Sequence, residues 1–362
     1  MKAVARLFPF RIEKRKDIGV WMDLLSIIVA ILAALGIAAG IIALSGADTR
    51  TVLFAMAKGS LGSKSAIIDT LLKATPIILT GQATVVAFRA RVWNIGQEGQ
   101  LYAGAMGATA IILTFPQFQP PAFLYIPLLL LASMITGAIW GGIAGFLKAR
   151  YNVSEIIVTV MLNYVIIYIC TFLLNGIWQA PGSYYYNTIK FPAQTFLPQL
   201  FGTRLHLGFI IALLASAAVY FLLWKMKLGY EIRALGENPT AAKYKGINTY
   251  RIIILVMLIS GALAGLAGGI EVTGIHHQLI YGFSTGFGFT GILIALLGRL
   301  HPLGVVIASI FFGALQNGSS ALQIYSDVPR QLVTFMMGLV IIMLLFTQAL
   351  FTYRVRRVED VG

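Results

Sequence analysis

The chain has 362 residues, of which 58% are hydrophobic and 11% charged, against roughly 25% charged in a soluble domain. Apolar runs recur from Trp21 to Phe351, each long enough to cross the ~30 Å hydrocarbon layer as a helix, which excludes a water-soluble globular fold. The net charge of +14 sits in short loops and termini, where basic residues set membrane topology; nucleic-acid binding is excluded on that ground, and the single cysteine, Cys170, excludes an intrachain disulfide framework.

The basic stretch through Lys16, followed by a long apolar run, predicts a cytoplasmic tail over 1–19 and an anchor helix rather than a cleaved leader. Spans are expected at 20–44, 66–88, 101–115, 123–147, 155–176, 207–225, 251–272, 284–298, 302–316 and 330–352. They form one transmembrane domain, 20–352, with a cytoplasmic tail at 353–362. With the N-terminus inside, 20 of the 27 basic residues fall on the cytoplasmic side, as the positive-inside rule requires. The expected fold is therefore an all-α integral membrane protein of about ten helices with both termini cytoplasmic. Spans 2–5 and 7–10 enter from opposite sides. Inverted four-helix repeats of that kind place a substrate near the midplane, at interrupted helices.

Between spans 2 and 3, Asn94-Ile-Gly-Gln-Glu-Gly-Gln100 combines two glycines with the polar Asn94, Gln97, Glu98 and Gln100. Unwound backbone at membrane depth survives only where protein buries it or a cavity solvates it. The motif fits either a cavity lining or an ordinary cytoplasmic turn beside Arg89 and Arg91. On span 5, Glu155, Thr159 and Asn163 share one helix face. Glu155 suits a helix N-terminus; Asn163, at mid-span, fits an interhelical hydrogen bond as well as it fits a pathway. Asp69 and Lys73, four apart, are expected to pair on span 2. Glycines at 137, 141 and 145, and at 261, 265 and 269, give two helices a face open to close backbone approach, for which tight packing is reason enough.

Glu271 closes span 7, and the glycine-punctuated segment carrying Phe287 and Phe289 opens span 8. A carboxylate near aromatic faces suits a planar ligand with N–H donors, although each ring alone also reads as packing. The tyrosines 184–186 in the largest outer loop are expected to anchor at the membrane interface. On the cytoplasmic side, within a loop over 226–250, Asn238 is a good N-cap, Pro239 a good first helical residue and Gly246 a stop. That predicts a two-turn surface helix, Pro239–Lys245, of the sort that docks on a soluble partner. No Walker A pattern is present; Gly59-Ser-Leu-Gly-Ser-Lys-Ser65 has the wrong spacing. The four histidines form no metal pattern, so neither metal nor cofactor is expected.

Ala241-Ala-Lys-Tyr-Lys-Gly246 resembles the Ala-Ala-x-x-x-Gly coupling-helix loop of ABC importer permeases, with Thr240 in place of the usual Glu. Gly236–Ala242 reads Gly-x-Asn-Pro-x-Ala-Ala, similar to the loop of ribose-type and nucleoside-type permeases. Trp93–Gln100, Met161-Leu-Asn-Tyr164, Gly286–Ile292, Ala295–Arg299 and His301–Gly304 resemble the same group, the nucleoside branch above the ribose branch. The resemblance implies a multi-pass subunit of a bacterial cell membrane that carries nucleosides, or a simple sugar in the alternative. It implies three partners besides membrane lipid: a cytoplasmic ATP-binding subunit, a second permease that is homologous and non-identical, and an extracellular substrate-binding lipoprotein. Asn94, Gln97, Glu98, Gln100, Asn163, Glu271, Phe287 and Phe289 become the expected pathway residues. Arg233, Gly236, Glu237, Asn238, Pro239, Ala241, Ala242 and Gly246 become the expected coupling residues. Ser154-Glu155 departs from the Asn-Glu pair of the family pattern. An ion-coupled carrier or a membrane enzyme has no need of a coupling helix, and no nucleophile elbow or zincin motif occurs.

Overall fold

The computed structural model describes residues 10–14, 49–325 except Gln119 and Phe201, and 353–357, together with isolated helical positions between 29 and 43 and between 335 and 347. In chain order the elements are β1 (Phe10–Lys14), α1 (Thr49–Leu61), α2 (Lys64–Arg89), α3 (Gln97–Thr114), α4 (Ala122–Tyr151), α5 (Glu155–Leu174), α6 (Gly208–Lys225), α7 (Lys227–Glu237), α8 (Pro239–Tyr244), α9 (Thr249–Glu271), α10 (Phe287–Leu297), α11 (Pro302–Tyr325) and β2 (Tyr353–Arg357). Among the described residues six helices are long and apolar enough to cross a membrane: α2, α4, α5, α6, α9 with the π-turn that extends it, and α11 as far as Ser320. The expected spans 20–44 and 330–352 fall outside the described residues, apart from those isolated positions.

The all-α expectation needs one correction. β1 and β2 pair antiparallel, with Phe10 opposite Arg357 and Lys14 opposite Tyr353. Phe-Arg-Ile-Glu-Lys and Tyr-Arg-Val-Arg-Arg alternate apolar and charged residues with period two, a strand pattern that reading both segments as plain tails passed over. Two helices were also not anticipated: α1, in what read as an external loop, and the amphipathic α7 ahead of the coupling helix.

Residues 60–317 form one compact unit, and its helix ends follow local chemistry. The Ser63 hydroxyl accepts the Ala66 amide at 3.1 Å to start α2. Asn248 does the same for Arg251, at 3.0 Å, to start α9. Lys148 and Arg150 lie in the last turn of α4, where cations offset the negative helix end, and Asn152 closes the helix in the left-handed region at φ 53°.

At the centre α9 packs on α4, α3 and α2. The two glycine faces meet: Gly261 abuts the Gly137 carbonyl, and Gly265 abuts the Ser133 carbonyl and Gly137. On another side of α9, Gly268 abuts the Leu101 carbonyl of α3, and Gly104 of α3 abuts Gly265. Three helices therefore touch backbone to backbone, leaving α3 enclosed and buried from Gln97 through Thr109.

Candidate functional site

The chain leaves α2 through Arg91, at φ 54°, and runs non-helically until Gln97 begins α3. Much of this break is buried by protein, where an unpaired N–H costs free energy. The α5 stripe satisfies them in order. Glu155 Oε1 accepts from the Trp93 amide at 3.4 Å, Thr159 Oγ1 from Ile95 at 3.2 Å and Asn163 Oδ1 from Gly99 at 2.8 Å. Asn163 Nδ2 also donates to the Ile95 carbonyl at 2.9 Å. One helix face, read every fourth residue, thus serves as a ladder for unwound backbone. Glu155 is in turn held by Lys148 at 2.9 Å.

The polar residues of the break turn inward and pair. Asn94 and Gln100 exchange two hydrogen bonds of 3.1 Å, and Asn94 also donates to Ser260 of α9 at 2.9 Å. Gln97 donates to Thr84 of α2 at 3.0 Å, while its Oε1 has no hydrogen-bond partner. Asn94, Gln97, Glu98, Gln100 and Asn163 are all buried. Together they form a closed knot, neither an exposed turn nor an open lining in this conformation. Glu98 reaches out of it: its Oε2 accepts the Gly288 amide of α10 at 2.7 Å, and the Ser284 hydroxyl faces the same carboxylate.

A second break mirrors the first. After Glu271, α9 passes into a π-turn, Val272–His276, and the chain turns at His277, φ 52°. It then runs to Gly286, where α10 starts with Ser284 Oγ accepting from the Gly286 and Phe287 amides at 3.3 Å each. The loop between α5 and α6 clasps this break. The Leu197 amide donates to the Thr273 carbonyl, Phe191 to His277, and Thr188 to Leu279, while Phe196 stacks on His277 at 3.8 Å between centroids. Tyr184 and Tyr185 stay exposed and, with Asn187, Gln278 and Tyr281, edge a surface cavity of about 570 Å³.

α9 spans 23 residues, about 35 Å, so Glu271 lies at the far end of that helix from α8. There it lines a cavity of about 380 Å³ with Asp69, Lys73, Arg204, His276, Phe283, Phe287 and Asn317. The structure thus brings the expected Glu271 and Phe287 together. Phe287 is 8% exposed, whereas Phe289 is 45% exposed and does not line this cavity. Asp69 meets Arg204 at 3.7 Å, and Lys73 Nζ donates to the Gln316 carbonyl at 3.3 Å. Sequence reasoning missed Arg204 and Asn317, since nothing local marks a loop arginine or a mid-helix asparagine as neighbours of Glu271; Phe283 belongs to the glycine-punctuated segment it had singled out without naming that ring.

At the other end of α9, Asn238 Oδ1 accepts from the Thr240 and Ala241 amides at 3.0 and 3.1 Å, Pro239 opens α8, and Gly246 ends the turn at φ 81°. Gly236 abuts the Arg89 carbonyl, where a side chain would collide. The guanidinium groups of Arg89 and Arg233 lie 5.2 and 5.9 Å from the Trp224 ring centroid, which joins α7 to the ends of α2 and α6. Glu237 and Ala241 are exposed. Ala242 is 3% exposed and faces its own chain, so the outward surface of α8 is Pro239, Thr240, Ala241, Lys243 and Tyr244.

Residues 66–345 match the family described as branched-chain amino acid transport system / permease component. The chain is 37% identical over 317 residues to the guanosine ABC transporter permease protein NupP of Bacillus subtilis (strain 168), covering 85% of this chain and 89% of that protein. It is 31% identical to the glucose ABC transporter permease protein TsgB13 of Haloferax volcanii, covering 95% and 93%. It is 33% identical to the nucleoside ABC transporter permease protein NupB of Lactococcus lactis subsp. cremoris, covering 76% and 77%. With its membrane-length helices, this places the chain in that family, as a multi-pass permease subunit of an ABC transporter, a transport component rather than an enzyme, which works with an ATP-binding subunit.

Proposed function

We propose that this permease carries nucleosides inward across a bacterial cytoplasmic membrane, with ATP hydrolysed by its separate partner. The observation that carries this reading is the outer cavity, where the Glu271 carboxylate and the Phe283 and Phe287 rings line one space, a combination suited to a planar base. The relatives named for guanosine and nucleosides support it. The relative named for glucose favours the second reading, a simple sugar.

The path is read as running from this cavity past Glu98 and the Asn94–Gln100 knot, with Asn163 holding the break in register. Two long helices, α2 and α9, each end at a break with a left-handed residue, Arg91 and His277, and each break leads to a helix starting inside the bundle. That parallel supports inverted repeats and a midplane site. The pairing of β1 with β2 supports an even number of crossings between them, and the distribution of basic residues supports ten over 20–352 with both tails cytoplasmic.

Energy coupling is assigned to α8 and the end of α7: Arg233, Gly236, Glu237, Asn238, Pro239, Ala241, Ala242 and Gly246. Ala242 acts by seating α8 on the chain; Ala241 belongs to the docking face. The family resemblance adds a second, non-identical permease and an extracellular binding lipoprotein, with lipid around the remainder.

The test is uptake by the full transporter in proteoliposomes. Guanosine or uridine should accumulate only with internal ATP and external binding protein, and Ala241→Trp should uncouple hydrolysis from uptake while the subunits still assemble. Uptake driven by an ion gradient without ATP would overturn the importer reading, and uptake of glucose or ribose alone would favour the sugar.

A further inference from the structure

The wall of the outer cavity holds several polar side chains, and their partners separate them. Asp69 meets Arg204 at 3.7 Å, Lys73 reaches the Gln316 carbonyl at 3.3 Å, and Asn317 donates to the Ala66 carbonyl at 2.9 Å. Thr285 accepts from Gln316 at 3.3 Å. Glu271 differs. It is 2% exposed, its Oε1 has no hydrogen-bond partner, and its Oε2 lies 3.7 Å from His276 Nε2, beyond hydrogen-bond length. A buried carboxylate left in that state is costly. The residue sits where α9 gives way to the π-turn, a helix defect frequent at functional sites.

Once ionised against donors that enter the cavity, a carboxylate only accepts hydrogen bonds, and its two oxygens match a pair of parallel N–H donors. Among the common nucleobases, guanine alone carries that pair on adjacent atoms, the ring N1–H and the exocyclic amine. Hypoxanthine has only the ring N–H. Adenine and cytosine set an amine beside a ring acceptor, and uracil sets its N–H between two carbonyls. Phe283 and Phe287 add apolar ring surface to the same space, which every base can use. The rings therefore bring affinity without selection, and the carboxylate brings selection.

Resting on the nucleoside reading above, we infer that Glu271 reads the base during translocation and that the outer cavity is a subsite for guanine-type nucleosides. Selection by the permease adds to whatever the binding protein selects.

The experiment compares uptake of guanosine, 1-methylguanosine, adenosine and cytidine by the full transporter in proteoliposomes, always with the same binding protein. Glu271→Gln keeps the shape and replaces one acceptor with a donor. Its guanosine-to-adenosine uptake ratio should fall about tenfold, the scale of one hydrogen bond to a charged group. The disadvantage of 1-methylguanosine, which lacks the N1 donor, should shrink with it. Glu271→Asp retains the carboxylate and should keep most of the preference, which guards against a general packing defect. A ratio unchanged in assembled Glu271→Gln transporter, whether both nucleosides fall together or neither falls, overturns the inference alone. Failure of the wild type to carry any nucleoside overturns the nucleoside reading and the inference with it.

Discussion

Glu98 Oε2 accepts the Gly288 amide at 2.7 Å across 190 residues of chain, so one carboxylate sits where the N-termini of α3 and α10 meet. Each helix end presents unsatisfied amides and about half a positive charge. Two such ends repel each other unless an anion lies between them. Glu98 therefore fastens two helices that start inside the bundle, and any movement that parts them must expose or re-pair this carboxylate.

Replacing Glu98 with Ala should lower stability by about 2–3 kcal/mol, because buried amides lose a charged acceptor. Glu98→Gln retains an acceptor and should cost less, about 1 kcal/mol. Thermal unfolding of the purified subunit gives the order, and proteoliposome uptake should fall in both. Ala and wild-type proteins melting together would remove Glu98 from this role.

The α5 ladder predicts a gradient. Asn163→Leu strands both the Gly99 amide and the Ile95 carbonyl and should cost about 2–4 kcal/mol. Thr159→Val strands one amide, from Ile95, and should cost about 1–2 kcal/mol. Hydrogen exchange at Ile95 and Gly99 should rise in the matching variant. Equal losses from the two substitutions would mean that the rungs do not act separately.

Gly265→Val should abolish assembly, since its side chain would enter the Ser133 carbonyl and Gly137 backbone, neither of which can move aside. Gly142→Ala meets only the far end of Leu258, at 2.7 Å, and should cost about 1 kcal/mol or less. Yield of monodisperse protein after detergent extraction distinguishes the two. Comparable yields would show that the α4–α9 contact tolerates widening.

His206, outside the spans, gives a pH prediction. Burial, then the nearby His277, push its pKa down to about 4, and its Nδ1 accepts the Gly208 amide at 3.1 Å. Protonation would turn that acceptor into a donor facing a donor. Because the folded pKa lies below the ordinary 6.5, the stability is present above pH 6.5 and is lost as pH falls through that value toward 4, by up to about 3 kcal/mol. His206→Gln should flatten the melting temperature between pH 7 and 4.5. An unaltered acid slope would assign the loss to other groups.

Most apolar spans among the described residues were legible to within a few residues because hydrocarbon imposes a minimum length, although α11 runs on to Tyr325, nine residues past the expected 316; the Asn238, Pro239 and Gly246 signals fixed α8 because caps are local chemistry. The Glu155, Thr159 and Asn163 spacing revealed a polar face but not what it touched, since the recipients are backbone amides that carry no sequence signal. Ala241 and Ala242 are equally small, so composition could not say which one faces outward. Gly288 lies too far along the chain for any local pattern to pair it with Glu98. Arg204 joined the cavity for a similar reason: loop closure, not periodicity, carries it to Asp69.

The shortness of α10 bears on how the protein is made. Eleven residues reach about 17 Å, too little to cross a bilayer independently, so α10 lacks the length that would hold a nascent segment in lipid. Synthesis proceeds from the N-terminus, so α2 and α3, the helices on which α10 packs, can form before Gly288 leaves the ribosome. In that order α10 would meet protein on its Gly288 side, with the Glu98 carboxylate made before the amide it accepts.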